Sequence, residues 1–224
     1  MSQRGIDLGE TYYETQAGLY DLVATAPLVR SVRARSVEHL ELEPGDTVVD
    51  MGCGTGANFE SLRSAVGPSG RVVGVDLVEG MLRVARKRID RAGWENVRVV
   101  RGDATQPPLD AADAVLSSFV VGMFESPGPV VNRWIRLVDP GGRITLVNVA
   151  RTERLVARPL NLLCRAFVRF TAPGYRLGLR SPTAELENRW DAARESLFEG
   201  TRDQRDERLA GGFVTLASGR VPGR

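Results

Sequence analysis

The 224-residue chain predicts an α/β fold, a doubly wound and mostly parallel sheet with an N-terminal helical cap. Three observations predict it. Short apolar runs alternate with amphipathic stretches between residues 47 and 149. The first run ends in a cluster of glycines that opens onto a helix, the layout of a ligand-binding first βα turn. Hydrophobic residues make up 42% and charged residues 26% of the chain, which is ordinary globular usage and excludes a disordered or fibrous chain.

Residues 1–43 read as helical, with Pro27 in a first turn and Leu28, Val32 and Leu40 at helical spacing. Pro44–Gly45 then turns the chain. Residues 47–51 (TVVDM) form a short apolar run with no polar alternation, hence a strand buried on both faces. Residues 58–66 read as helix, and 71–76 (RVVGVD) as a second strand. The helix at 78–92 carries an apolar face of Val78, Met81, Leu82, Ala85 and Ile89 and ends at Gly93, while the arginines of 83–91 form its solvated face. Strands follow at 97–101 and 112–117. Ser126 is placed to cap a helix bearing Val130, Val131, Trp134 and Leu137. Asp139–Pro140–Gly141–Gly142 turns the chain into a fifth strand at 143–149.

The last third changes character. Residues 151–170 are helical by pattern, 171–182 form a loop rich in Pro and Gly, 185–196 are helix, and 213–218 are strand. The stretch 198–208, where a sixth strand is expected, is unusually polar. With no repeat or linker, the chain reads as one domain: a cap at 1–43, a core at 44–150, and substrate-side helices and final strands at 151–224.

Composition narrows the chemistry. Net charge is only +2, which gives no general attraction to nucleic acid. Two cysteines, Cys53 and Cys164, exclude a disulfide scaffold. His39 is the sole histidine, so no metal site is expected, any Ser–His–Asp triad must use His39, and its neighbour Glu38 suggests a surface position. The polar opening stretch lacks the apolar core of a secretory signal, and no apolar run reaches about 18 residues. A reducing, cytoplasmic setting is the expectation.

The segment Val49–Asp50–Met51–Gly52–Cys53–Gly54–Thr55–Gly56–Ala57 carries most of the chemistry. Glycines let a backbone turn tightly and approach a ligand closely. Gly52, Gly54 and Ala57 also fit a dinucleotide fingerprint, which would make the chain an NAD(P)-dependent oxidoreductase. Asp50 weighs against that, because a carboxylate is a poor neighbour for a pyrophosphate. It suits S-adenosylmethionine, which brings a sulfonium and an ammonium and no phosphate.

Asp50-x-Gly52-x-Gly54-x-Gly56 resembles motif I of the class I S-adenosylmethionine-dependent methyltransferases. Asp76, 20 residues beyond Gly56, resembles the family's ribose-binding acid. Gly102–Asp103–Ala104 resembles its acidic loop at the adenine, and Pro140–Gly141–Gly142 its turn before the fifth strand. The resemblance implies a Rossmann-like, seven-stranded, mostly parallel sheet and S-adenosylmethionine as cofactor. It implies a cofactor site of Asp50, Gly52, Cys53, Gly54, Gly56, Asp76, Leu77, Met81, Asp103, Ala104 and Ser117. Within the family, Tyr20–Asp21, residues 76–82 and residues 209–219 resemble the ubiquinone/menaquinone biosynthesis methyltransferases.

The acceptor is expected to be small and apolar, a quinone precursor or a lipid. Residues 119–124 are strongly apolar where amino-group methyltransferases of nucleic-acid bases carry an Asn/Asp-Pro-Pro-aromatic motif. At about 100° per residue, Arg151, Arg154, Arg158, Arg165 and Arg169 share one edge of a helix that is otherwise largely apolar, which suits peripheral contact with a membrane. The competing account of both features is burial in the core. A base, where the acceptor needs one, would come from His39, Tyr12, Tyr13 or Tyr20, and no catalytic residue is singled out. A non-catalytic S-adenosylmethionine-binding partner protein is the other alternative.

Overall fold

The computed structural model describes residues 27–150 and 182–223. The helical stretch expected before Pro27, the Arg-edged helix at 151–170, Cys164 and the tyrosines at 12, 13 and 20 lie outside the described residues. Five α-helices are described: α1 (Pro27–Glu38), α2 (Phe59–Val66), α3 (Glu79–Ala92), α4 (Pro127–Leu137) and α5 (Pro182–Gly200). They alternate with β1 (Thr47–Met51), β2 (Arg71–Asp76), β3 (Val97–Arg101), β4 (Ala112–Ser118), β5 (Val138–Val149), β6 (Arg202–Leu209) and β7 (Val214–Arg220).

The strands form one seven-stranded sheet in the order β3-β2-β1-β4-β5-β7-β6. β1 to β5 run parallel, and β7 is antiparallel to both β5 and β6. Chain order reverses between β1 and β4, and ligands of doubly wound sheets sit at the carboxyl ends of the strands beside such a reversal.

Burial on both faces explains the unalternating strand sequences. Val49, Met51, Val73, Val75, Ile144 and Leu146 pack against Val131 and Trp134 of α4 and Ala193 and Leu197 of α5. Val48, Val72, Leu116, Val147 and Leu216 face the other way, onto Val32 of α1, Phe59 and Leu62 of α2, and Leu82 and Ala85 of α3.

Three local expectations are corrected. His39 is not at the surface: it is 3% exposed, with Nδ1 3.0 Å from Ser218 Oγ and Nε2 2.9 Å from Glu207 Oε2. Ser126 makes no side-chain cap bond, and Pro127, whose fixed φ suits a first turn, starts α4 instead. β5 begins at Val138, before the Asp139–Gly142 turn, with a register shift against Ala112 and Ala114. The polar stretch is strand β6, an exposed edge whose charges discourage pairing with another chain.

Candidate cofactor and acceptor site

β1 ends at the switch point, and the glycine turn leaves it there. Gly52, Gly54 and Gly56 have φ of 71°, 55° and 74°, the left-handed region that favours glycine. The N–H groups of Gly52 and Cys53 donate to Val75 O at 2.8 and 3.0 Å, anchoring the turn to β2. Gly54 N–H donates to Asp76 Oδ2 at 2.8 Å, and Val78 N–H donates to Oδ1 at 2.9 Å. The carboxylate that ends β2 is therefore tied to the turn and to the start of α3. Burial pushes the Asp76 carboxyl up, against the backbone donors of Val78, Gly54 and Leu77. A carboxylate offers about four acceptor positions, so capacity for ribose hydroxyls remains.

Asp50 lies inside the protein, 0% exposed. Asn58 Nδ2 donates to both of its oxygens, at 3.1 and 3.0 Å. Burial pushes the Asp50 carboxyl up to about 7, while the Asn58 hydrogen bonds and the charge of Arg33 pull it down and Asp76 pushes it further up. The structure thus gives Asp50 a place beneath the turn, not on its surface. Cys53, Met81 and Ser117 are also buried, and Ser117 Oγ donates to Met51 O at 3.4 Å. Burial, with Asp50 and Asp76 nearby, pushes the Cys53 thiol well above its ordinary range.

Two positions of the expected cofactor site are open. Leu77 is 44% exposed, and Asp103 is exposed with its Oδ1 accepting from Thr105 N–H at 2.8 Å. Ala104, next to Asp103, is buried, its carbonyl accepting from Trp134 Nε1 at 2.8 Å.

The apolar segment after β4 meets the glycine turn. A Cβ placed on Gly52 would stand 2.4 Å from Val120 Cγ2, so Val120 rests directly on the turn. Phe119 and Val120 are half-buried, and Met123 is exposed beside them.

These residues fit S-adenosylmethionine. The turn has no side chain where Val120 packs, Asp76 keeps acceptor capacity for hydroxyls, and Leu77 offers an apolar surface. Residues 48–142 match the family model described as methyltransferase domain. That match covers less than half of the chain. The chain is 34% identical over 136 residues to nocamycin O-methyltransferase of Saccharothrix syringae, covering 60% of this chain and 48% of that protein. The chain therefore spans about half the length of that curated relative. It is 28% identical to the demethylmenaquinone methyltransferase of Desulfitobacterium hafniense, covering 94% of this chain and 88% of that one. In fold, it matches the crystal structure of a methyltransferase from Aquifex aeolicus with a TM-score of 0.69 at 19% identity, covering 93% and 98% of the two chains.

Two residues around the glycine turn escaped the sequence. Asn58 holds Asp50, and Arg33 of α1 brings a charge to it across the chain. Asn58 follows the glycine run directly, which was the available signal; Arg33 had none. His39 is not brought to the turn. Its partner Ser218 pairs with Thr145 in mid-sheet, and Ser218 is 0% exposed, so this Ser–His–Glu contact offers no nucleophile to a substrate.

Proposed function

We propose that this protein transfers the methyl group of S-adenosylmethionine to a small, apolar acceptor, a quinone precursor or a lipid. The observation that carries this is the seating of Val120 on Gly52, which puts an apolar segment against the cofactor turn. When bound, the cofactor supplies an electrophilic methyl on a positive sulfonium. Asp76 would hold the ribose hydroxyls, and Leu77 and the Asp103–Ala104 loop would flank the adenine. Asp50, through Asn58, would fix the turn and place negative potential under the methionine end. The backbone of Gly52, Gly54 and Gly56 would allow close approach, with Cys53, Met81 and Ser117 packing behind it.

Residues 119–124 would exclude water and orient the acceptor for in-line displacement, where positioning and desolvation supply much of the rate. The relative named for demethylmenaquinone supports an apolar acceptor. Among the described residues no helix is long and apolar enough to cross a membrane. Peripheral contact through the Arg-edged pattern at 151–170 would bring the site to a lipid-resident acceptor.

Calorimetry with S-adenosylhomocysteine and NADH tests the cofactor: tighter NADH binding sinks the proposal. Turnover on quinone, lipid and polar acceptors, with liposome co-sedimentation at low and high salt, tests the acceptor. Turnover of a polar acceptor alone, with no sedimentation at low salt, overturns the apolar assignment. Cofactor binding with no turnover of any acceptor favours a non-catalytic partner protein.

A further inference from the structure

We propose that Asn148 and Thr215 form a polar subsite that binds an oxygen of the methyl acceptor, a hydroxyl or carbonyl on an otherwise apolar molecule. This rests on the methyltransferase function proposed above. Asn148 of β5 and Thr215 of β7 are direct partners in the antiparallel register. Opposed residues of such a pair project from the same face with Cβ atoms about 4.5–5.5 Å apart. That face is shared with Leu146 and Ala217, two positions further along, which lie in the core toward α4 and α5.

Both side chains are 8% exposed. Thr215 Oγ1 is buried without a hydrogen-bond partner, and the Asn148 carboxamide stands beside it on the same face. Buried polar groups are nearly always satisfied, so an unsatisfied hydroxyl beside a carboxamide calls for a ligand. Their place in the fold says which. A Cβ placed on Gly122 would stand 3.6 Å from Asn148 Oδ1, so the carboxamide lies against the apolar segment that follows β4. Arg189 Nη1 donates to Gly122 O at 3.3 Å and holds that turn in place. The exposed Met123 and Val149 follow directly in the chain, at the carboxyl edge of the sheet.

Apolar pockets orient a ligand through a few convergent polar groups. A carboxamide has two donor hydrogens and an acceptor oxygen, and a hydroxyl has one donor hydrogen. Together they complement an oxygen that accepts hydrogen bonds. A trapped water would satisfy the same atoms, and the test separates it from a subsite.

The probes are 1-naphthol and naphthalene, measured by equilibrium dialysis against the full chain with S-adenosylhomocysteine present. The wild type should bind 1-naphthol about tenfold more tightly than naphthalene. Thr215→Val, which keeps the shape and removes the hydroxyl, and Asn148→Ala should each remove most of that preference. Both should leave S-adenosylhomocysteine and naphthalene binding unchanged, which also reports that the variants are folded. Equal affinity of the wild type for the two arenes, or variants that keep the preference, overturns the subsite. Failure of the wild type to bind S-adenosylhomocysteine counts against the methyltransferase function instead, and the naphthol preference measured without it still decides the subsite.

Discussion

The backbone N–H of Gly54 donates to Oδ2 of Asp76 at 2.8 Å, so the acid that ends β2 also holds the turn that ends β1. Removing that carboxylate costs more than ligand contacts. Asp76→Ala also leaves the Gly54 and Val78 donors without their partner. The expected outcome is a loss of stability of about 1–3 kcal/mol together with at least a tenfold loss of S-adenosylhomocysteine affinity. Urea unfolding and calorimetry check the two effects separately. Unchanged affinity in a folded variant removes Asp76 from the site.

Gly54→Val strains the same turn by another route. Its φ of 55° is a conformation that β-branched residues adopt only as outliers. Binding of S-adenosylhomocysteine should be abolished. A folded Gly54→Val protein with full affinity would place the ligand elsewhere.

Gly52→Ala tests the contact between the turn and the segment proposed to face the acceptor. The new methyl would meet Val120 Cγ2 at 2.4 Å, and a valine has little rotamer freedom to move aside. Cofactor affinity and turnover should both fall. The double variant Gly52→Ala/Val120→Ala should recover part of the loss, because the clash is removed while the left-handed backbone remains strained. No recovery would assign the whole effect to the backbone.

Asp50 predicts a pH dependence with a definite sign. Its carboxyl titrates near 7 in the folded chain, mainly because burial disfavours the charge, and near 3.9 when unfolded. Between those values the folded state holds the proton and the unfolded state does not. Its contribution to stability is therefore fully present below about pH 4 and is lost as pH rises through about 7, by roughly 4 kcal/mol at most. The wild type minus Asp50→Asn difference in unfolding free energy should show this fall between pH 4 and 8. A flat difference means that Asp50 is ionised throughout. This subtraction isolates Asp50 from His39, whose imidazole burial holds below its ordinary value and which acts with the opposite sign.

The bounds of β1 and β2 were legible because each is a short apolar run, and a strand buried on both faces has no polar alternation to blur it. The glycine turn and the place of Asp76 at the end of β2 were legible because both are set by backbone geometry within a few residues. His39 was misplaced because its burial comes from Ser218 and Glu207, far along the chain, and its neighbour Glu38 is solvated. Asn148 and Thr215 were invisible for the same reason. Only the antiparallel pairing of β5 with β7 makes neighbours of them. Strand β6 resisted its expected apolar pattern because an edge strand with an exposed face has no core to satisfy.

Arg143 is another residue that no local pattern marks, and it supplies the final prediction. It opens the apolar part of β5 yet is 1% exposed. Its Nη1 reaches Glu41 at 3.0 Å and Asp203 at 2.5 Å, and its Nη2 donates to Asp203 O at 2.7 Å. Glu41 also accepts from Arg205 and Arg220, joining the loop after α1 to β5, β6 and β7. Arg143 Nε is buried with no hydrogen-bond partner, so part of its desolvation is never recovered. The two sides of this cluster should therefore respond unequally. Arg143→Met keeps an unbranched stem and removes the buried charge. Asp203 is half-exposed and can hydrate, and Glu41 keeps two arginines, so the change should be close to neutral. Glu41→Ala leaves the buried guanidinium short of a counter-charge and should cost about 2–4 kcal/mol, far above a surface ion pair. Chemical denaturation of the two variants beside the wild type checks the asymmetry. An Arg143→Met protein less stable than Glu41→Ala would mean that the buried arginine gains more from its hydrogen bonds than it loses on leaving water.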